Sequence, residues 1–83
     1  MAPRQNRRQS PKVTYAVVIE KARNNYSAYA PDLPGVVATG RTVEATERKM
    51  REAIAFHLRE LRAAGEPIPA PTTRATYVAA DRA

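Results

Sequence analysis

The stretch Tyr29-Ala30-Pro31-Asp32-Leu33-Pro34-Gly35-Val36-Val37-Ala38-Thr39-Gly40 decides how this chain folds. Two prolines and two glycines fall within ten residues there, with apolar pairs between them. Proline fixes φ and glycine permits φ > 0, so the segment has little freedom in how it bends. Pro31 lacks a ladder donor and ends any strand that precedes it. Pro34-Gly35 suits the two central positions of a type II turn, where glycine supplies the positive φ. Residues 36–39 then read as a short strand, and Gly40-Arg41-Thr42 leads out of it. Pro31, Pro34, Gly35, Gly40 and Thr42 are therefore read as the structural residues of a corner.

Upstream of the corner, Val13, Tyr15, Val17 and Ile19 alternate with Thr14, Ala16, Val18 and Glu20. This is the period of two expected of a strand, rich in β-branched and aromatic residues. Ala22-Arg23-Asn24-Asn25 is a turn. Residues 26–30 run back as a second strand and form a hairpin with the first. Val18 and Tyr29 fall on the second face of this sheet, which then needs a cover of its own.

Downstream, Thr42 is a good helix N-cap, and Glu44 suits the positive end of the helix dipole. Ala45 stands where a full capping box would place an acid. Val43, Met50, Ala53, Ile54, Leu58 and Leu61 recur three and four apart, the spacing of one apolar helix face. Glu44–Arg48 and Glu47–Arg51 are acid-before-base pairs at i, i+4. Gly65 reads as the C-cap glycine, so the helix is predicted over residues 43–64. Pro67, Pro69 and Pro71 make a stiff strap with Ile68 as its apolar anchor. At about 3.1 Å per residue its nine residues cover roughly 28 Å, enough to run back along most of a helix about 33 Å long. Residues 75–80, with Tyr77 and Val78, read as a last strand.

The predicted order is β-β-β-α-β. This is an α+β two-layer sandwich, one mixed sheet with a single long helix on one face. The domain is placed at residues 12–80, residues 1–11 are read as a disordered basic arm, and residues 81–83 as a frayed end.

The bulk numbers agree with one small domain of 83 residues. Cysteine and tryptophan are absent and there is a single phenylalanine. A core of this size gives only a few kcal/mol, so oligomerisation, as a dimer or tetramer, is the expected source of further burial. No apolar run is long enough for a membrane span and no secretory signal is visible, which places the chain in the cytoplasm. The net charge of +6 is concentrated at one end. Arg4, Arg7, Arg8 and Lys12 lie in the first twelve residues, which hold no acid, and the remainder has ten basic against eight acidic residues. Such an arm attracts a phosphate backbone, so Arg4, Arg7 and Arg8 are candidate nucleic-acid contacts.

Catalysis is not expected. Nucleophilic chemistry needs an activated Ser, Cys or Thr beside a base. Here the one histidine, His57, sits at the edge of a helical stripe, a place where histidines mostly pack. No carboxylate cluster offers a two-metal site, no metal-ligand spacing appears, and no cofactor motif occurs. Asp32 is read as accepting backbone N–H bonds within its own turn.

The pattern Tyr26-Ser27-Ala28-Tyr29-Ala30-Pro31-Asp32-Leu33-Pro34-Gly35, then Ala38-Thr39-Gly40, Thr42-Val43-Glu44, Arg51-Glu52-Ala53-Ile54, His57-Leu58 and Gly65-Glu66-Pro67-Ile68-Pro69 resembles the HicB antitoxin family over about residues 13–71. The resemblance implies a fold like a truncated ribonuclease H, with strands packed on one long helix. It implies a protein partner, a small HicA toxin that cuts mRNA, whose catalytic surface the antitoxin covers. Asp32, Leu33, Glu44 and Tyr29 are the candidate partner contacts, the acids facing a basic RNA-binding surface. Many such antitoxins carry a C-terminal DNA-binding domain. This chain ends about a dozen residues past the strap, so promoter binding is not expected of it. The alternatives are a nucleic-acid-binding protein using the basic arm and an orphan oligomer that kept the fold without a toxin.

Overall fold

A computed structural model describes residues 12–82. The basic arm with Arg4, Arg7 and Arg8 therefore lies outside the described residues, as does the final Ala83. Three strands precede one helix: β1 (Val18–Lys21), β2 (Tyr26–Tyr29), β3 (Val37–Gly40) and α1 (Val43–Ala63). The strands form one sheet in the order β1-β2-β3, and both pairings are antiparallel. The sheet is thus antiparallel, not mixed. An N–H bond from Ala22 to the Asn25 carbonyl, 2.8 Å long, closes the β1–β2 connection.

The register sorts the side chains. Ala28 stands opposite Ile19 on one side and Ala38 on the other, and Tyr29 stands opposite Val18 and Val37. Successive residues of a strand point to opposite faces. The Ile19–Ala28–Ala38 row faces the helix, and the Val18–Tyr29–Val37 row faces away. Tyr15, Ala28, Ala30, Leu33, Val36 and Met50 make the buried core, with Val17, Ile19, Ala38, Ala53, Ile54 and Leu58 packed on it.

The first strand is shorter than the alternation over Val13–Ile19 predicts. Tyr15 and Val17 still reach the core at every second position. Pairing starts at Val18 because its partner Tyr29 is the last residue of β2. Pro31 follows almost at once and offers no ladder donor to anything further upstream.

The corner is two turns in succession. Leu33 donates its N–H to Ala30 at 3.0 Å, and Val36 donates to Leu33 at 3.1 Å. Each turn has proline at its second position. Gly35, with φ of 88°, takes the left-handed place that a type II turn requires. Gly40 has another role. A Cβ on it would stand 2.6 Å from Thr46 Oγ1 and 2.9 Å from the Thr46 backbone N. Its missing side chain lets the end of β3 touch the first turn of α1.

Thr42 caps that turn, its Oγ1 accepting from the Ala45 N–H at 3.0 Å. Its carbonyl accepts from Thr46 twice, from the backbone N–H at 3.0 Å and from the hydroxyl at 2.7 Å. The other end closes in a Schellman motif. Glu66 N–H bonds Leu61 O at 2.8 Å, Gly65 N–H bonds Arg62 O at 3.1 Å, and Gly65 has φ of 73°. Of the two expected helix-surface pairs, Glu47–Arg51 forms at 3.0 Å with both side chains more than half exposed, so it stabilises little.

The last predicted strand does not form in this chain. Residues 64–82 contain no strand, and residues 70–82 are exposed throughout. A strand needs a neighbour to take its backbone hydrogen bonds, and β-propensity alone does not supply one. The observed order is β-β-β-α.

Candidate functional site

Two surfaces grow from the corner. The first is a latch built on Asp32. One carboxylate oxygen accepts the backbone N–H groups of Thr72 and Thr73, each at 2.9 Å. The other accepts both hydroxyls, at 3.0 Å from Thr72 and 2.9 Å from Thr73. Both carboxylate oxygens thus serve the C-terminal strap. The Thr73 N–H is the largest of the effects that hold the Asp32 carboxyl below the ordinary aspartate range, and it prevails over the opposing effect of burial. Asp32 was expected to satisfy donors of its own turn; those are satisfied by main-chain carbonyls instead, which frees the carboxylate to reach across.

Tyr15 holds the strap a few residues earlier, its hydroxyl donating to the Pro69 carbonyl at 2.6 Å. Burial pushes the Tyr15 phenol above its ordinary range, the Asp32 charge adds to this, and the Arg62 guanidinium opposes it. Tyr15 thus lies within the field of both Asp32 and Arg62 in the last turn of α1. The strap therefore crosses the end of the sheet after leaving α1, where a path back along most of the helix was expected. Within the strap Ile68 and Pro69 are half-buried.

The second surface is the outer face of the sheet. Tyr29 is 44% exposed and Val37, directly across from it, 64% exposed. Val18 completes the row on the other side of Tyr29. Among the described residues nothing covers this row, and no other part of the sheet's outer face is as apolar. The remaining outward positions, Glu20, Ser27 and Thr39, are polar.

The four expected partner contacts separate accordingly. Tyr29 is on the outer face. Glu44 is exposed in the first turn of α1. Asp32 is engaged by Thr72 and Thr73. Leu33 is 1% exposed and part of the core, so its side chain offers no contact surface. Only the apolar residues of the corner are buried: Ala30, Leu33 and Val36 join Met50 and Tyr15 in one cluster, while Pro31, Pro34 and Gly35 stay exposed. His57 is half-buried on α1. Among the described residues no group of three or more His, Cys, Asp or Glu could hold a metal ion, and no helix is long and apolar enough to cross a membrane.

Sequence reasoning did not find the latch partners Thr72 and Thr73, or Val37 as the neighbour of Tyr29. The second was recoverable from register: the corner returns the chain so that Val37 faces Tyr29 once the turns are counted. The first had no local signal, because the partners are 40 and 41 residues from Asp32.

The family model for the HicB-like antitoxin of bacterial toxin–antitoxin systems matches residues 15–82. The chain belongs to the HicB-like antitoxin family. A curated relative, a UPF0150 protein of Helicobacter pylori strain J99, is 44% identical over 46 residues, which cover 55% of this chain and 64% of that protein. The match thus spans under two thirds of the relative's length. Among solved structures, a chain of the HicA3 and HicB3 toxin–antitoxin complex superposes with a TM-score of 0.62 at 30% identity, covering 72% of this chain and 70% of that one. This HicB-like chain therefore shares its fold with a chain of a toxin–antitoxin complex.

Proposed function

We propose that this HicB-like protein binds a small HicA-type toxin that cuts mRNA and neutralises it by covering its active surface. The observation that supports this most is the joint match, by family over residues 15–82 and by fold to a chain of a toxin–antitoxin complex. The chain's own chemistry fits a binding role: it presents an apolar sheet face and exposed acids. We place the contact on the Val18–Tyr29–Val37 row, with Glu20 beside it and Glu44 at the start of α1 supplying negative charge toward a basic RNA-binding surface. The protein acts as a binder and not as an enzyme, in the cytoplasm, where an mRNA-cutting toxin has its substrate. The ribonuclease H-like reading of the fold needs a fourth strand, for which residues 75–80 are the candidate.

A short open reading frame for such a toxin is expected beside this gene, and the test is co-expression with it. Growth should be rescued, and the two chains should co-purify as one complex. A neighbouring toxin that neither binds this protein nor is silenced by it would overturn the proposal.

A further inference from the structure

The chain presents an unpaired strand edge and an unpaired strand-forming segment, and does not join them to each other. β1 lies at one end of the sheet and pairs with β2 alone, so its other side has no strand neighbour among the described residues. Helix α1 packs mainly over β3 and β2 and much less over β1. The inner side of β1 is left as a groove of about 500 Å³, lined by Val13, Val17, Ile19, Met50 and Ile54. The groove runs beside the free edge, so an added strand would hydrogen-bond to β1 and set alternate side chains into apolar space.

The segment that fits is the arm after the latch. Residues 74–82 are all exposed, Tyr77 fully and Val78 at 82%. Arg74-Ala75-Thr76-Tyr77-Val78-Ala79-Ala80 has an aromatic and two β-branched residues at its centre and no proline, the composition of a strand. In alternation, Ala75, Tyr77 and Ala79 share one face, a large side chain between two small ones. Seven residues span about 23 Å as a strand, less than the roughly 33 Å available along residues 12–21. Tyr15 and the Asp32 latch fix residues 69–73 at the corner, and from there the arm leads into solvent instead of onto its own β1.

We propose that residues 74–80 of one copy add as a strand to the free edge of β1 in a second copy, and that the exchange is reciprocal. Donor and acceptor are both in every chain, so one two-fold axis satisfies both arms and closes the assembly at a dimer. The exchanged strand covers the groove, removes the sheet edge that would otherwise recruit other chains, and buries Tyr77. The inference uses only this chain and stands whether or not a toxin is its partner.

The experiment is light scattering on the purified full chain, followed by site-directed cross-linking. The wild type should have twice the chain mass at sub-millimolar concentration. Tyr77→Pro removes a ladder donor in the middle of the arm at a fully exposed position, so it should halve the measured mass and leave the helical circular dichroism unchanged. The chain contains no cysteine, so single thiols can be placed cleanly. A mixture of Tyr77→Cys and Val13→Cys chains should give a disulfide-linked pair that neither gives alone to the same extent. A monomeric wild type, a Tyr77→Pro protein that stays dimeric, or a Val13→Cys/Tyr77→Cys double variant that links within one chain would each overturn the exchange. So would an arm that becomes ordered only when a toxin is added.

Discussion

Replacing Gly40 by alanine tests the joint between sheet and helix. Gly40 is buried at the end of β3 and has no positive φ, so an alanine there meets no intrinsic backbone penalty. On conformational entropy alone the substitution would stabilise by about 0.4–1 kcal/mol. The added methyl, however, would lie 2.6 Å from Thr46 Oγ1, 2.9 Å from Thr46 N and 3.1 Å from Thr46 Cα. The hydroxyl can rotate away; the two backbone atoms cannot. Relief requires β3 and the first turn of α1 to separate, which also disturbs the two bonds that Thr46 makes to the Thr42 carbonyl. Overpacking of this kind costs typically 1–3 kcal/mol, so the net change is a loss of about 1–2 kcal/mol. In a domain whose core supplies only a few kcal/mol this is a large fraction, and it corresponds to roughly 4–8 °C in Tm per kcal/mol. Urea unfolding followed at the helix band measures it. Thr46→Ala is the companion variant: it removes Oγ1 and leaves Thr46 N and Cα in place, so in the double variant the two costs should add to less than their sum, with most of the Gly40→Ala loss remaining. An alanine at 40 that is as stable as the glycine would refute the close-approach account.

Three further outcomes follow from the same structure. The latch should open in acid: the Asp32 carboxyl is held below its ordinary range, so its contribution is present above the unfolded pKa and is lost as pH falls below about 4 toward the depressed value. NMR shifts of the Thr72 and Thr73 amides report this, and shifts that stay flat through the acid range, or that move equally in Asp32→Asn, would contradict it. Leu33→Ala should cost about 2–5 kcal/mol, because the side chain is 1% exposed and leaves a cavity at the corner; a change near zero by denaturant titration would remove Leu33 from the core. Tyr29→Ala should weaken toxin binding about 30-fold with little loss of stability. The 44% of its surface still exposed is roughly 90 Å², worth about 2 kcal/mol when covered. Calorimetry on the purified complex decides, and an unchanged Kd would move the contact off this face.

Legibility in the sequence followed distance along the chain. The corner, the N-cap at Thr42 and the C-terminal glycine at 65 were readable because each depends on residues within a few positions, where φ limits and capping geometry act directly. The apolar stripe through Met50, Ile54 and Leu58 was readable for the same reason. The alternation of Tyr15 with Val17 and Ile19 puts the three on one strand face, but the Tyr15 bond to Pro69, 54 residues away, has no local trace. Leu33 shows the converse: a position that stands out in the sequence pattern as a candidate contact has a side chain only 1% exposed, packed in the core. Residues 75–80 have the composition of a strand without the neighbour that would make them one. They read as a last strand and form none here, because pairing belongs to the sheet edge and not to the segment alone.

The latch also has a mechanical consequence. Two successive residues of the strap share a single carboxylate, so the four bonds at Asp32 are loaded together when the free end is pulled and do not peel one after another. In a copy whose arm is not exchanged, an unfoldase or protease that grips the exposed residues 74–82 therefore meets its first resistance at the latch, before any strand or helix bears tension. Below that force the domain is untouched; above it the strap comes free as a unit, back to the Tyr15–Pro69 contact. The side chain of Asp32 thereby sets the threshold at which the protein's removal from the C-terminal end begins, separately from the stability of the sheet and helix it sits on.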